Sequence, residues 1–536
     1  MPFILACYVR SIKRREADLK HTVKMASMFF LVVFILFLAS VYGGSQGRAG
    51  TGENQLSEIH LLGMNDLHGQ LNTHSVLSGK KVGGAEYLSA HVNRLRQEHE
   101  HTMLVHAGDM TGGSPPISSL FQDEPTAEFL NQLRVDVGTP GNHEFDQGAD
   151  ELMRLVSGGF HPKTGFFKGT HSDYISANVI NKKTGKPMFP AYSIKEIDGV
   201  RIGFIGVVTT ETNQFLLPEN QDQIEIIDET EAINQTVEQL NKKGVKSIVV
   251  LAHVGANSDE NGENAGEALT EMAPNISDEV DVIFGAHSHQ HANTVVDNKL
   301  IVQSYSYGKA LSDVTLTIDR KKKEIVQKEA EIVLTDHNTV KPDQSALQLI
   351  KKFEDRIGEE YSTPVGSLPQ NLSRKKNDQG ESPLAAFIAG ALNEDMNTKI
   401  SMVHHGGIRE SLKAGKITKQ QVIAALPFHH YAVKVKMTGK EVKTILEQQW
   451  ALKAENLLQI EGITYSINRN APHGERISDI KNTRGELIQD HRTYTVATSN
   501  YLASGGDGFK GFKQTELIKM GPELSDVLAG KLDKIN

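Results

Sequence analysis

The chain has a single cysteine, Cys7, in 536 residues. No disulfide can close within it, and thiolate zinc sites and thiolate catalysis are excluded with it. Positive charge is also short: 57 Lys and Arg stand against 66 Asp and Glu, a formal net charge of −9. Wrapping a nucleic-acid polymer needs many Lys and Arg on its phosphates, so no such partner is expected. One small phosphorylated substrate remains open, because bound cations can supply the positive charge. Internal repeats are lacking too, and the C-terminal KLDKIN has no apolar tail for a span or lipid-anchor signal. The long apolar run is Met28 to Tyr42, with Arg10, Lys13, Arg14, Arg15, Lys20 and Lys24 before it and Ala39, Ser40, Gly43 and Gly44 at its end. Residues 1–44 therefore read as a signal peptide, with a retained anchor as the alternative, since a span usually takes about 20 apolar residues. Translation could instead begin at Met25. Export without disulfides suits a secreted or cell-surface bacterial protein.

What is present is an alternating chain. Residues 45–57 are rich in Gly, Ser, Gln and Asn and read as a flexible tether. From Glu58, short apolar runs (Ile59–Met64, Met103–His106, Val135–Gly138, Ser247–Ala252, Val280–Phe284) predict strands. Helical spacing falls between them, with Leu88, Val92 and Leu95 in Gly84–His99 and Ile233, Val237 and Leu240 in Thr230–Lys243. Pro125–Leu133 reads as a third helix and Tyr192–Val208 as a hairpin turning at Asp198-Gly199. Such alternation predicts an α/β layered domain. Strands over Ile301–Leu334 close the first domain (58–341). One helix over 342–362 connects it to a second α/β region (363–536).

Five polar clusters follow predicted strands of the first domain. They are Asp66-Leu67-His68-Gly69, Gly108-Asp109, Gly141-Asn142-His143-Glu144-Phe145-Asp146, His253, and Gly285-Ala286-His287-Ser288-His289. Each alone reads as a turn or a hydrogen-bonded residue. Together they can converge, because α/β sheets gather ligands beyond the carboxyl ends of their strands. Carboxylate, imidazole and one amide, without thiolate, suit zinc, manganese, iron or cobalt rather than calcium. The donors are too many for one tetrahedral ion, so two ions sharing a carboxylate is the economical reading.

The order D-x-H, G-D, G-N-H-E, a strand-end His and G-H-x-H resembles the calcineurin-like metallophosphoesterases, and the strings NDLHG and GNHEFD look like their 5′-nucleotidase branch. The resemblance runs through nearly the whole chain after the tether. It implies an α/β/β/α sandwich followed by a smaller α/β substrate-binding domain. It also implies two divalent ions, zinc or manganese. One would be held by Asp66, His68, Asp109 and His289; the other by Asp109, Asn142, His253 and His287, with Asp109 bridging. His143 would stabilise charge on the transferred phosphate, oriented by Asp146; as an alternative, Asp146 would only cap a helix.

Three strings of the second domain are similar to the family's binding domain: HHGGIR at His404–Arg409, Leu426-Pro427-Phe428, and TSNYLASGGDGF at Thr498–Phe509. By that resemblance Phe428 and Tyr501 would sandwich a base, Asp507 would accept from ribose hydroxyls, Arg409 would pair with phosphate, and His404 would sit near base or sugar. His404-His405 replaces the family's usual Asn-Gly. The Arg expected just before Glu381-Ser382-Pro383-Leu384 is also missing, Arg374 being the nearest.

The resemblance thus implies a nucleotide partner and an exported hydrolase of nucleoside 5′-monophosphates, with ADP and ATP as further substrates. A 2′,3′-cyclic nucleotide phosphodiesterase and a UDP-sugar hydrolase share the same metals. A thiosulfate-ester hydrolase fits the paired aromatics less well. From another class, a catalytically silent surface nucleotide-binding protein would be expected to have lost some of the donors, and none is missing. A monomer is expected, with membrane attachment only through an uncleaved N-terminus.

Overall fold

The clusters sit on two facing sheets in the computed structural model, which describes residues 55–216, 220, 222–377, 380–450 and 457–535. The signal or anchor segment 1–44 and the tether through residue 54 lie outside the described residues. The expected tether runs two residues too far: Leu56 and Ser57 already pair with Asp319 and Ile318. Residues 56–536 form one unit.

The first sheet has six strands in the order Glu324–Leu334, Ala310–Asp319, Leu56–Met64, Thr102–His106, Val137–Gly138, Asp173–Tyr174. Leu56–Met64 pairs parallel with Thr102–His106 and antiparallel with Ala310–Asp319. The second sheet runs Tyr192–Ile197, Val200–Val208, Ser247–His253, Val280–Phe284, Lys299–Ser304, His291–Val296. Its four inner strands are parallel. Strands covered on both faces read as continuous apolar runs, which is why SIVVLA and VDVIF were legible.

Alternation divides each strand between two cores. Ile59 and Leu61 face Phe204, Val249, Leu251 and Phe284 of the opposite sheet. Leu62 and Met64 face Leu88, Val92, Leu95 and Phe129 of the covering helices. The other sheet's outer face buries Ile248, Val250 and Ile283 against Ile233, Val237 and Leu240 of the Glu229–Lys242 helix. The result is the α/β/β/α sandwich. Gly63 is required where the sheets approach, because a Cβ there would overlap the Phe284 ring. The 192–208 hairpin turns at Asp198 (φ 50°) and Gly199 (φ 72°), the two positive values a tight hairpin needs.

The connector differs from its expected form. Instead of one helix over 342–362 there are two, Gln344–Glu354 and Glu359–Ser362, separated at the extended residue Gly358. Gln344–Glu354 buries Ala346, Leu349, Ile350 and Phe353 in the first lobe's core. These four residues carry its apolar face, so this helix is anchored to the first lobe.

The second lobe is built on a five-stranded sheet in the order Leu458–Glu461, Ile400–His404, Thr493–Ser499, Tyr431–Thr438, Glu516–Glu523. The Pro383–Asp395 and Leu524–Asp533 helices cover one face. Gly439–Gln448, Tyr501, Phe509 and Phe512 pack on the other. Ile400–His404 delivers His404 at its C-terminal end, as the first lobe's strands deliver their own clusters.

Candidate active site

All five first-lobe clusters meet at the carboxyl ends of the strands. The loops that carry them are knitted by their backbones: Asp66 N–H donates to Gly108 O at 3.0 Å and His68 N–H to Asp109 O at 3.0 Å. Five of the expected ligands have positive φ: Asp66 (50°), His68 (49°), Asp109 (53°), His287 (74°) and His289 (59°). Non-glycine residues rarely adopt this region, and such backbone strain gathers at functional sites. Gly141 admits the approach of neighbouring loops, since a Cβ there would overlap Asp109 Oδ1.

The donors form two groups, Asp66–His68–His289 and Asp109–His253–His287, each with ligand atoms within 4.8 Å of one another. Asp109 Oδ2 stands between them, 3.5 Å from His68 Nε2 and 3.3 Å from His253 Nε2. His289 Nε2 is 3.1 Å from His68 Nε2 and 3.6 Å from Asp66 Oδ1. Asn142 Oδ1 lies 3.0 Å from His253 Nε2 and 2.9 Å from His287 Nδ1. Donors around a tetrahedral ion with bonds of about 2.1 Å stand roughly 3.4 Å apart, so these spacings fit metal.

Tautomers agree with that fit. His68 Nδ1–H donates to Gly112 O at 2.8 Å and His253 Nδ1–H to Ala107 O at 2.9 Å, which turns each Nε2 inward. Asp66 is steadied by Asn65 Nδ2–H at 2.7 Å and by the His287 N–H at 3.1 Å. Burial pushes Asp66 up to about 6. Burial also resists ionisation of Asp109, but His253 and His143 hold it well below the usual carboxylate range. Burial likewise disfavours a charged His253, yet the Asp109 carboxylate raises it to about 9. Burial holds His68 and His289 well below the usual histidine value. The buried Asp109 charge is thus balanced by a proton on His253, and a divalent ion binding the same atoms would displace that proton. His/Asp groups are therefore positioned for a dinuclear centre of divalent ions.

His143 lies beside these donors. Its N–H donates to Asp109 Oδ1 at 2.9 Å, and its Nδ1–H donates to Asp146 Oδ2 at 2.9 Å. Burial opposes a charge on His143, but Asp146 and Asp109 outweigh it and raise the ring above its ordinary value. Asp146 is not a helix N-cap: it closes the 3-10 turn His143–Phe145 at its C-terminal end, and the next helix, Ala149–Ser157, has Gly148 as its N-cap.

The second-lobe residues arrive in the same place. One cavity of about 300 Å³ is lined by Asp109, Asn142, His143, Asp146, His287, Ser288 and His289 from one side. His404, Gly406, Arg409, Phe428, His430, Tyr501 and Asp507 line the other. Arg409 Nη2 lies 3.3 Å from His68 Nε2, and its guanidinium sits 5.7 Å from the Phe428 ring centre. Arg374 instead donates to Ile408 O at 3.3 Å, behind Arg409.

The aromatic pair is arranged differently from a simple sandwich. The His430 ring stacks on Phe428 (5.3 Å, 18°) and on Tyr501 (4.9 Å, 9°), so an imidazole takes the middle position. Tyr501 is 5% exposed and its hydroxyl donates to Asp507 Oδ1 at 2.6 Å. His404 packs at 4.8 Å from the same tyrosine ring.

Two contributors were missed. His430 was hidden as a neighbour of Phe428; its signal was a ring two residues past a presumed stacking residue. Glu144 lies inside the GNHEFD string but holds no substrate face. Its carboxylate accepts the backbone N–H groups of Asp109 (2.9 Å), Met110 (2.7 Å), Thr111 (3.1 Å) and Gly141 (2.6 Å).

Among known proteins, residues 59–291 match the calcineurin-like phosphoesterase family model and residues 360–514 the 5′-nucleotidase C-terminal domain. The chain is 39% identical over 454 residues to the endonuclease YhcR of Bacillus subtilis, covering 83% of this chain and 37% of that protein. It is 33% identical to the cell wall protein Lmo0130 of Listeria monocytogenes, covering 86% of this chain and 65% of that one. The chain thus spans less than two thirds of either relative. Among solved structures, the 5′-nucleotidase precursor of Thermus thermophilus superposes with a TM-score of 0.77 at 25% identity, covering 89% of this chain and 97% of that one.

Proposed function

Because the chain belongs to the 5′-nucleotidase family of calcineurin-like phosphoesterases, we propose that it is a metal-dependent phosphoric ester hydrolase that releases phosphate from nucleoside 5′-monophosphates, with ADP and ATP as further substrates. One observation carries this reading: a single cavity is lined both by donors of the two metal groups (Asp109, Asn142, His287 and His289) and by an arginine, stacked aromatic rings and an acidic loop residue. Asp66, His68, Asp109 and His289 would hold one ion and Asp109, Asn142, His253 and His287 the other, a pair that supplies an activated water and positive charge for phosphoryl transfer.

The protein side chains divide the remaining work. His143, charged and oriented by Asp146, donates from Nε2 to a phosphoryl oxygen as charge builds there. Arg409 offers a planar pair of N–H donors to the same phosphate. Asp507 accepts from ribose hydroxyls. Phe428 stacks on the base, with limited discrimination among bases because every base offers a π-face. His430 holds the stacking position in the absence of a base and turns out as one enters. The apolar N-terminal run and the cell-wall relative support an exported or surface protein.

The nucleotide reading is tested by comparing AMP with ribose 5-phosphate, which lacks the base. Stacking contributes about 1–3 kcal/mol per base, so Phe428→Ala should raise KM for AMP roughly tenfold and leave ribose 5-phosphate little changed. His430→Ala should lower KM for AMP. An equal response of both substrates to Phe428→Ala would remove the base from the account. The relative named an endonuclease favours a second reading, cleavage of a nucleic-acid phosphodiester. The small cavity and the net charge of −9 weigh against it, and release of nucleotides from single-stranded DNA faster than phosphate from AMP would establish it.

A further inference from the structure

A second cluster with ligand chemistry lies at the opposite end of the Leu56–Met64 strand. Glu58, His60 and His99 offer ligand atoms that all lie within 4.8 Å of one another. Glu58 and His60 are two residues apart on one strand and so project from the same face. His99 is the C-cap of the Ala85–Glu98 helix that covers this face. His60 lies six residues before Asp66, which at a rise of about 3.3 Å per residue places the cluster some 20 Å from the active-site donors.

His60 is the informative member. It is 6% exposed, and its Nδ1–H donates to Asp313 Oδ1 at 2.8 Å. That contact fixes the tautomer and leaves Nε2 as a lone pair, as in the carboxylate–histidine–metal arrangement. This Nε2 is buried and makes no hydrogen bond, and the nearest carboxylate oxygen, Glu58 Oε1, stands 3.6 Å away. The His99 ring stacks on His60 at 3.5 Å and 14°. Asp313 Oδ2 lies 4.0 Å from His99 Nε2, so one carboxylate flanks both rings on one side while Glu58 approaches His60 from the other.

We propose that Glu58, His60 and His99 form a peripheral site for a divalent transition cation of zinc type, with Asp313 as the orienting carboxylate. Two imidazoles and a carboxylate are a zinc donor set, and three protein ligands leave the fourth tetrahedral position to water; to bind, the His99 ring turns from its parallel stack on His60 so that its lone pair meets the same ion. The site ties the end of a covering helix to the first strand of the sandwich. A chain with one cysteine cannot make that tie with a disulfide. A cation held only by the folded state raises stability with its concentration.

The test uses the purified full chain dialysed against micromolar zinc, with zinc per chain read by elemental mass spectrometry. His99→Ala and Glu58→Gln change residues at the surface, the Glu58 side chain being 68% exposed and that of His99 28%. Each variant should hold one zinc fewer per chain than the wild type and keep wild-type AMP hydrolysis. The zinc-dependent rise in Tm should also shrink in both. Equal zinc content in wild type and both variants overturns the proposal and leaves His60 as a buried ring held by Asp313 alone. Should a variant fail to fold, anomalous scattering at the zinc edge from wild-type crystals decides. A peak about 2.1 Å from His60 Nε2 is expected, and its absence overturns the site.

Discussion

Asp109→Asn is expected to lower kcat/KM for AMP by roughly 10³-fold, about 4 kcal/mol of transition-state stabilisation, while the protein still folds. The reason lies in where its two oxygens point. Oδ2 stands between His68 and His253, the nearest members of the two donor groups, so a loss of charge there weakens both metal positions at once. Oδ1 accepts the His143 N–H, so the same residue also places the His143 imidazole. Asparagine is the informative replacement. It keeps an acceptor for that N–H, and it tolerates the φ of 53° that Asp109 adopts. A large loss of metal and activity with a nearly unchanged metal-free Tm therefore reports on the charge. Alanine would mix that effect with backbone strain. Metal content and initial rates at saturating manganese check this; a variant with full metal and near-wild-type rate would remove Asp109 from the bridging position.

Glu144→Leu is expected to be the most destabilising single change near the site. The Glu144 carboxylate takes four backbone N–H groups from two separate loops, the one that carries Asp109 and the one that carries Asn142 and His143. Each buried donor left without a partner costs about 1–3 kcal/mol. Losing several at once approaches the whole stability of a domain, about 5–15 kcal/mol. The variant should accumulate poorly or unfold at least about 5 °C below wild type. Glu144→Gln should fall between them. Its oxygen can still accept from Met110 and Thr111, but its NH₂ would face the N–H groups of Asp109 and Gly141. Thermal unfolding of the three proteins, each stripped of metal, gives the order; a leucine variant as stable as wild type would show that the loops do not depend on Glu144. Burial and the Asp109 charge push Glu144 up to about 7, against the N–H groups that favour its charged form. The ladder of donors thus holds a carboxylate in an otherwise unfavourable place.

These two residues show how far the sequence could be read. Asp109 was legible because a Gly-Asp follows an apolar strand, and sheets of this class deliver side chains at that end. The same logic found Asp66, His68, Asn142, His253, His287 and His289, and the structure brings them together. Glu144 was visible only as part of a string. Its partners Asp109, Met110 and Thr111 lie more than thirty positions away, and backbone N–H groups leave no sequence signature. Positive φ at five donors was equally hidden, since it follows from how tightly the loops must turn inward. His430 was missed because ring stacking depends on the three-dimensional course of Phe428–His430, where Phe428 O accepts the His430 N–H at 2.8 Å. The connector was misread because periodicity carried across Gly358, where the backbone turns extended and starts a new helix. Strand and helix existence followed from apolar spacing, and the layered α/β character from their alternation, while the sandwich was implied by the family resemblance; loop geometry and shared cavities arise only once distant segments pack.

The account stands most directly on metal-dependent phosphate release from AMP by the purified chain, measured with manganese or zinc, without metal, and beside His143→Ala. It predicts release that requires the metal and falls by about 10²–10³-fold in the variant, as expected for one donor aimed at developing charge. Metal-loaded protein that releases no phosphate from AMP, or releases it equally well without His143, would contradict it.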